Sequence, residues 1–409
     1  MPLNNFTADL KKQLDELYRT GTAKGAEQVV IKIQKASGNK GPRFFLKGFG
    51  DKEFIRMNSN SYLGMGLRED MLKAEENGAI SYGVGPGAVR FISGTYQPHI
   101  DLEKKLAQFH NREDCMITSS AYTSILGVIS TLTTPETIII SDELNHNCII
   151  NSIKLSRPKA KKIYPYLDLI TLEKYIVESI GECESIIVIT DGVFSMRGDY
   201  APLDKIAEIC KKHNDKFSKD IVFVVDDSHG VGVLGDNGGG TEELCHADGV
   251  DILVGTLGKA FGVNGGYIVS NKTLITYLRE KNSFYIYTNP ITPSEATAAI
   301  KSIDILQSDE GKKLLSHLSA MTKKFENGLV SLGYETIPSE HPVVPLMVRD
   351  TEKTSKLVNY LTENGVLATG LNFPIVPKGN QLIRFQVCAD HTEFDIDSVL
   401  KILEEFKNL

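Results

Sequence analysis

The chain has 409 residues, of which 41% are hydrophobic and 24% charged, so it can bury a large core and does not have a disordered protein's composition. Its net charge of −7, with no long basic block, argues against a nucleic-acid partner. The six cysteines form no Cys-x-x-Cys pair, no apolar run is long enough to span a membrane, and the start lacks the pattern of a secretory signal. We therefore expect a cytoplasmic protein with no membrane span, no metal site and no disulfide framework.

The first predicted element is an amphipathic helix over residues 6–18. Leu10, Leu14 and Leu17 recur at helical spacing among charged residues. Such a helix packs its apolar side on the body of the protein or on a partner subunit. We assign residues 1–50 to an N-terminal helical segment.

Short apolar runs then alternate with helical patterns such as residues 203–213. Unbroken Ile/Val runs, rather than alternating ones, are typical of strands covered on both faces. The runs are residues 137–141, 185–190, 221–225, 252–254 and 267–270. They predict an α/β fold whose mostly parallel central sheet is flanked by helices, forming a large domain over residues 51–290.

After Pro290 the pattern changes. Long amphipathic helices over residues 293–307 and 312–332 precede short strands and a last helix over residues 394–406. We expect residues 291–409 to form a smaller C-terminal α+β domain.

A lysine and an aspartate indicate the cofactor. Lys259 lies in residues 255–262 (Gly-Thr-Leu-Gly-Lys-Ala-Phe-Gly), about thirty residues after the predicted strand that leads into Asp226. Pyridoxal phosphate needs a lysine amine for its aldehyde and an acid that keeps its ring nitrogen protonated. Alone, the lysine also suits an exposed turn and the aspartate a helix cap. Together, with the aspartate at a strand's carboxyl end, they predict a pyridoxal phosphate site.

Further residues complete this predicted site. Ser120, Ala121 and Tyr122 open an apolar helix, whose N-terminus can bind a phosphate, although an ordinary serine cap is the alternative. His146 follows the predicted strand 137–141 and can stack on the cofactor ring, although it also suits a helix start. His229, three residues after Asp226, can hydrogen-bond the phenolic oxygen O3′.

At this point the sequence resembles the α-oxoamine synthases, pyridoxal phosphate enzymes of fold type I that condense an amino acid with an acyl-CoA. Among them it is most similar to glycine C-acetyltransferase, also called 2-amino-3-ketobutyrate coenzyme A ligase. The matching motifs are residues 60–64, 90–95, 99–103, 142–146, 190–196, 226–229, 255–259 and 372–379.

The resemblance implies a role for each matching residue. Lys259 is the Schiff-base lysine, Asp226 pairs with the pyridinium, His229 contacts O3′, and His146 stacks on the ring. Thr256 contacts the phosphate, and Thr288 reaches the phosphate of the neighbouring subunit's cofactor in a homodimer with shared active sites. The residues expected beside the amino-acid substrate are Asn60, Ser195 and Arg384, the last binding its carboxylate.

The resemblance gives one leading function and two alternatives. The leading one is the condensation of glycine with acetyl-CoA to 2-amino-3-oxobutyrate and CoA, or the reverse cleavage. The first alternative uses alanine or serine with a longer acyl-CoA, as in 8-amino-7-oxononanoate synthase or serine palmitoyltransferase. The second is a non-catalytic subunit of the same fold, against which the presence of Lys259, Asp226, His146 and Arg384 argues.

Overall fold

The computed structural model describes residues 3–20, 23–373 and 375–408. The first elements are α1 (Asn4–Arg19), β1 (Val30–Gln34), β2 (Arg43–Leu46), β3 (Ile55–Arg56), α2 (Glu69–Tyr82) and α3 (Gln97–Phe109). Alternating strands and helices follow: β4 (Asp114–Thr118), α4 (Ala121–Leu132), β5 (Thr137–Asp142), α5 (Asn147–Leu155), β6 (Ala160–Tyr164), α6 (Leu169–Val177), β7 (Ser185–Asp191), α7 (Leu203–His213), β8 (Ile221–Asp226), α8 (Thr241–Leu244), β9 (Ile252–Thr256), β10 (Gly266–Ser270), α9 (Lys272–Lys281) and α10 (Ser283–Ile286). The last elements are α11 (Pro293–Leu306), α12 (Asp309–Ser331), β11 (Glu335–Thr336), β12 (Val343–Met347), α13 (Thr351–Glu363), β13 (Val366–Leu367), β14 (Thr369–Leu371), β15 (Leu382–Gln386) and α14 (Glu393–Lys407).

The central sheet has seven strands in the order β4-β10-β9-β8-β7-β5-β6. Strand β10 runs antiparallel to both its neighbours, while the other adjacent strands pair in parallel. Ile138 and Ile140 of β5 pack into one apolar core and Ile139 into another, so apolar side chains cover both faces of the sheet. The predicted mostly parallel sheet flanked by helices is confirmed, and the continuous Ile/Val runs are its physical cause.

A second, antiparallel sheet has the order β11-β12-β15-β14. Helices α12, α13 and α14 pack around it, whereas α11 packs mainly on α2 and α3 beside the central sheet. The predicted boundary at residue 291 therefore precedes a helix that contacts the large unit. We propose that the packing of the small domain begins with α12.

The N-terminal strands join the two units. Strand β3 pairs in parallel with β13, and the guanidinium of Arg43 lies 2.5 Å from a carboxylate oxygen of Asp395, both side chains being buried. The predicted helix over residues 6–18 is α1, and none of its residues is buried against the chain. Strand β1 is likewise exposed along its whole length.

Within the described ranges, no helix has both the length and the apolar character needed to cross a bilayer. The six cysteines are free thiols.

Candidate active site

The carboxyl ends of the central strands meet at one cavity of about 240 Å³. Asp191 ends β7 and Asp226 ends β8, and the two residues are direct partners in the parallel ladder. His146 begins α5 shortly after β5, and Lys259 follows β9. The cavity is lined by Ser120, Ala121, Tyr122, His146, Cys148, Asp191, Val193, Ser195, Asp226, Ser228, His229, Thr256 and Lys259.

The amine of Lys259 is set up as a nucleophile. Burial lowers its pKa to about 8, although the nearby Asp226 carboxylate opposes that shift. A substantial share of the amine is therefore neutral near pH 8. Only the neutral amine attacks an aldehyde, so this environment suits Schiff-base formation.

Hydrogen bonds hold the carboxylate of Asp226 in place. One oxygen accepts bonds from the hydroxyl and the amide of Ser228, at 2.5 and 3.2 Å. The other accepts a bond from the thiol of Cys148 at 3.3 Å. Cys148, which the sequence analysis did not single out, therefore contributes to the lining of this cavity.

Asp191 is a site residue that the sequence analysis missed. Burial, together with the neighbouring Asp226, raises its pKa well above the usual range. One carboxylate oxygen accepts the backbone N–H of His146 at 2.9 Å, and its own amide donates to Asn145 at 2.8 Å. The signal was available, because Asp191 ends its strand as Asp226 does.

The N-terminus of α4 supplies donors at one end of the cavity. The hydroxyl of Ser120 accepts the amide of Thr123 at 3.2 Å, while the amides of Ala121 and Tyr122 have no protein partner among the described residues. A Cβ on Gly266 of β10 would lie 2.2 Å from the Ala121 nitrogen, so only glycine lets the strand approach this helix end so closely. The free amides and the helix dipole favour a phosphate here.

The two predicted ring contacts, His146 and His229, both line the cavity. Nδ1 of His146 accepts the Cys148 amide at 3.3 Å, and burial lowers the pKa of this imidazole. The ring of Tyr122 lies edge-on to it, with centroids 6.3 Å apart. His229 is buried, and its Nδ1 lies 2.8 Å from the hydroxyl of Tyr62.

The predicted substrate residues differ in position. Ser195 lines the cavity and also a second one beside it. Arg384, on β15, donates to the side-chain oxygen of Asn60 at 3.2 Å, and its Nε is buried without a partner in the described chain. Thr288 does not line the cavity of its own chain; its hydroxyl donates to the backbone oxygen of Phe284.

The cavity fits pyridoxal phosphate on the chemistry of its donors. A buried amine, a fixed carboxylate, two imidazoles and an open helix N-terminus are brought together, and Thr256 adds a hydroxyl at the end of β9. This constellation and the sheet define a fold type I pyridoxal phosphate transferase.

The comparisons identify the family. Residues 52–403 match the family model "Aminotransferase class I and II". The chain is 37% identical to 8-amino-7-oxononanoate synthase of Petrotoga mobilis over 403 residues, 98% of each chain, and 39% identical to that of Symbiobacterium thermophilum over 364 residues, 88% and 89% of the two chains. A solved serine palmitoyltransferase of Sphingomonas wittichii is similar, with a TM-score of 0.89, 26% identity and coverage of 100% and 98%. The chain therefore belongs to the aminotransferase class I and II family, in its α-oxoamine synthase branch.

These relatives bear on the sequence interpretation. The α-oxoamine synthase resemblance and the cofactor are confirmed. The closer similarity to glycine C-acetyltransferase is not confirmed, because the relatives named above favour the alternative with a longer acyl-CoA.

Proposed function

We propose that the chain joins the α-carbon of alanine or serine to the acyl group of an acyl-CoA longer than acetyl-CoA, and releases free CoA together with the amino acid's carboxylate as carbon dioxide. The glycine and acetyl-CoA reaction is the weaker candidate. The relatives support this choice chemically. The name 8-amino-7-oxononanoate describes a nine-carbon chain with a ketone at carbon 7, in which seven carbons correspond to the acyl group and two to alanine after its carboxylate carbon is lost as carbon dioxide. The name serine palmitoyltransferase refers to a longer acyl group.

The observation that carries the proposal is the second cavity. Its volume is about 370 Å³, within the usual range for ligand sites, and it shares Ser195 with the cofactor cavity. Its apolar lining includes Tyr166, Phe194, Met196, Met347, Ile375 and Leu382. A two-carbon acetyl group has no use for such a space, whereas a longer acyl chain buries its methylenes there.

In this proposal, each residue of the cofactor and substrate site has a defined role. Bound pyridoxal phosphate supplies an electron sink for the α-carbon. The Lys259 amine takes the α-proton, Asp226 keeps the ring nitrogen charged, and Arg384 binds the substrate carboxylate. His146 and His229 orient the cofactor ring. A non-catalytic subunit would have no need for this complete set.

The test is a substrate panel that measures the release of CoA thiol. Glycine, alanine and serine are each paired with acetyl-, heptanoyl-, pimeloyl- and palmitoyl-CoA. We expect kcat/KM for alanine or serine with one of the longer thioesters to exceed that for glycine with acetyl-CoA by at least tenfold, roughly 1.4 kcal/mol of barrier. The proposal fails if the glycine and acetyl-CoA pair is the best.

A variant that fills the second cavity tests whether this cavity holds the acyl chain. Met347 lines the second cavity and not the first. Met347→Trp should lower kcat/KM for the preferred longer thioester about tenfold while leaving acetyl-CoA, its internal control, within about twofold. An equal loss for both thioesters would mean that the second cavity does not hold the acyl chain.

A further inference from the structure

A chain of hydrogen bonds connects the small sheet to His229. Arg384 and Gln386 of β15 both donate to the side-chain oxygen of Asn60, at 3.2 and 2.6 Å. The hydroxyl of Tyr62 lies 3.2 Å from the same oxygen and 2.8 Å from Nδ1 of His229. Tyr62 is fully buried, so its hydroxyl is held between these two atoms.

The geometry decides where the Tyr62 proton goes. An amide oxygen has two lone pairs, and on Asn60 both already accept protons, from Gln386 and Arg384. Burial raises the pKa of Tyr62, against the opposing effect of Arg384, so the phenol keeps its single proton. That proton is donated to His229, the acceptor at the shorter distance.

The protonation state of the His229 ring follows from its burial and from the bond that Tyr62 donates. Burial lowers its pKa well below the usual value, and the charged or titratable groups facing it, Lys259, Arg384, His341 and His146, add to the shift. The imidazole is therefore neutral and carries one proton. Because Nδ1 accepts from Tyr62, the proton sits on Nε2.

The backbone of His229 is fixed from a second direction. Nδ1 of the buried His341 accepts the amide of Val343 at 3.1 Å, which leaves its Nε2 proton to donate to the carbonyl of His229 at 2.9 Å. The ring of His341 also lies edge-on to that of Tyr62, with centroids 5.1 Å apart. Main chain and side chain of His229 are thus both constrained.

We propose that Tyr62 is a positioning residue that fixes His229 in its Nε2–H tautomer, so that this ring presents a donor, not an acceptor, to the cofactor's phenolic oxygen O3′. The inference rests on the proposed cofactor site for its consequence. The tautomer itself is a property of the protein alone. A donor suits an ionised phenolic oxygen, and an acceptor would repel it.

The experiment compares Tyr62→Phe with a matched control. Tyr267 is also buried, and its hydroxyl lies 2.8 Å from Nε2 of the buried His110, outside the cavity, so Tyr267→Phe removes a similar Tyr–His bond. Long-range ¹H–¹⁵N spectra of histidine-labelled protein without cofactor report the protonated nitrogen of each ring, and His229→Asn assigns the His229 signals.

We expect Nε2–H for His229 in the wild type and in Tyr267→Phe, and a substantial Nδ1–H population in Tyr62→Phe. The dissociation constant for pyridoxal phosphate should rise about tenfold in Tyr62→Phe and stay within about twofold in the control. An Nδ1–H tautomer in the wild type overturns the inference even if the variant does not fold, and so does an unchanged tautomer in Tyr62→Phe. A wild-type chain that does not bind pyridoxal phosphate would overturn the proposed function, while the cofactor-free spectra still decide this inference.

Discussion

We propose that Lys259 determines how readily the protein captures its cofactor. With a pKa lowered to about 8 by burial, about a tenth of the amine is neutral at pH 7 and about half at pH 8. An unperturbed lysine at 10.5 would be almost wholly charged at both values. The environment thus raises the nucleophilic fraction by more than a hundredfold near neutral pH.

The rate at which the cofactor-free protein links to pyridoxal phosphate should therefore rise about fivefold from pH 7 to 8 and level off above pH 9. Stopped-flow absorbance of the lysine-linked cofactor measures it, with Lys259→Ala as the blank. A rate that keeps rising tenfold per pH unit up to pH 10 would contradict the lowered pKa.

At the residue scale, the sequence predicted the residues proposed to carry the chemistry better than the residues that hold them in place. Lys259, Asp226, His146 and His229 were found because a lysine, an acid and two imidazoles at strand ends have few other uses in this order. Asp191 was missed although it ends its strand as Asp226 does, whereas Tyr62 was missed because its role depends on a neighbour far away in sequence. Tyr62 contacts His229, 167 residues away, and no spacing rule reveals such a contact.

Among the elements, β10 and α4 approach each other at the site so closely that the contact leaves no room for a side chain at the start of the strand. Strand β10 is antiparallel to both its neighbours, and its first residue, Gly266, lies against the start of α4. The approach leaves the amides of Ala121 and Tyr122 at the cavity. The position of the phosphate donors therefore depends on the absence of one side-chain carbon.

Gly266→Ala should force α4 away from the sheet and raise the dissociation constant for pyridoxal phosphate by at least tenfold, because the added Cβ would meet backbone atoms 2.2 to 2.5 Å away. Ile268→Val, a buried change on the same strand, is the control; it should cost about 1 kcal/mol of stability and leave cofactor affinity unchanged. Absorbance titration and thermal melts measure the two effects. Equal cofactor affinity in both variants would show that the contact does not set the phosphate site.

The elements that the sequence predicted best were helices with a clear apolar periodicity and strands with an unbroken apolar run. The predicted helices 203–213 and 394–406 correspond to α7 and α14, and the five apolar runs became β5, β7, β8, β9 and β10. Strands β4 and β6 were not predicted. β6 lies at the sheet edge, alternates exposed with partly buried residues and contains two lysines, so it lacks a continuous apolar run.

At the scale of the whole molecule, the exposed apolar surface of the N-terminal elements supports our proposal of a homodimer. Phe6, Leu10, Leu14 and Leu17 of α1 are exposed, as is all of β1. Thr288 lies outside the cofactor cavity of its own chain, where a role at a neighbouring site is the proposed reason for its presence. Two-fold dimers are the commonest oligomers.

Sedimentation equilibrium should give twice the mass of one chain. Thr288→Ala should weaken pyridoxal phosphate binding about tenfold, since it would remove the proposed donor to the partner's phosphate. Thr276→Ala is the matched control, because Thr276 makes the same kind of bond to the carbonyl four residues before it, at 2.8 Å. A monomer with full cofactor affinity would overturn the shared site.

Among residues 3–20, 23–373 and 375–408, the two cavities share a single lining residue, Ser195. The cofactor cavity is built from the ends of the central strands, while much of the apolar cavity comes from Met347, Ile375 and Leu382 in the last part of the chain. Under the proposal that this cavity holds the acyl chain, mutations there would alter which thioester is accepted while the lysine, the acid and the imidazoles stay in place. Because the proposed acyl pocket and the catalytic residues come from separate parts of the chain, those positions are the natural starting library for directed evolution of acyl preference.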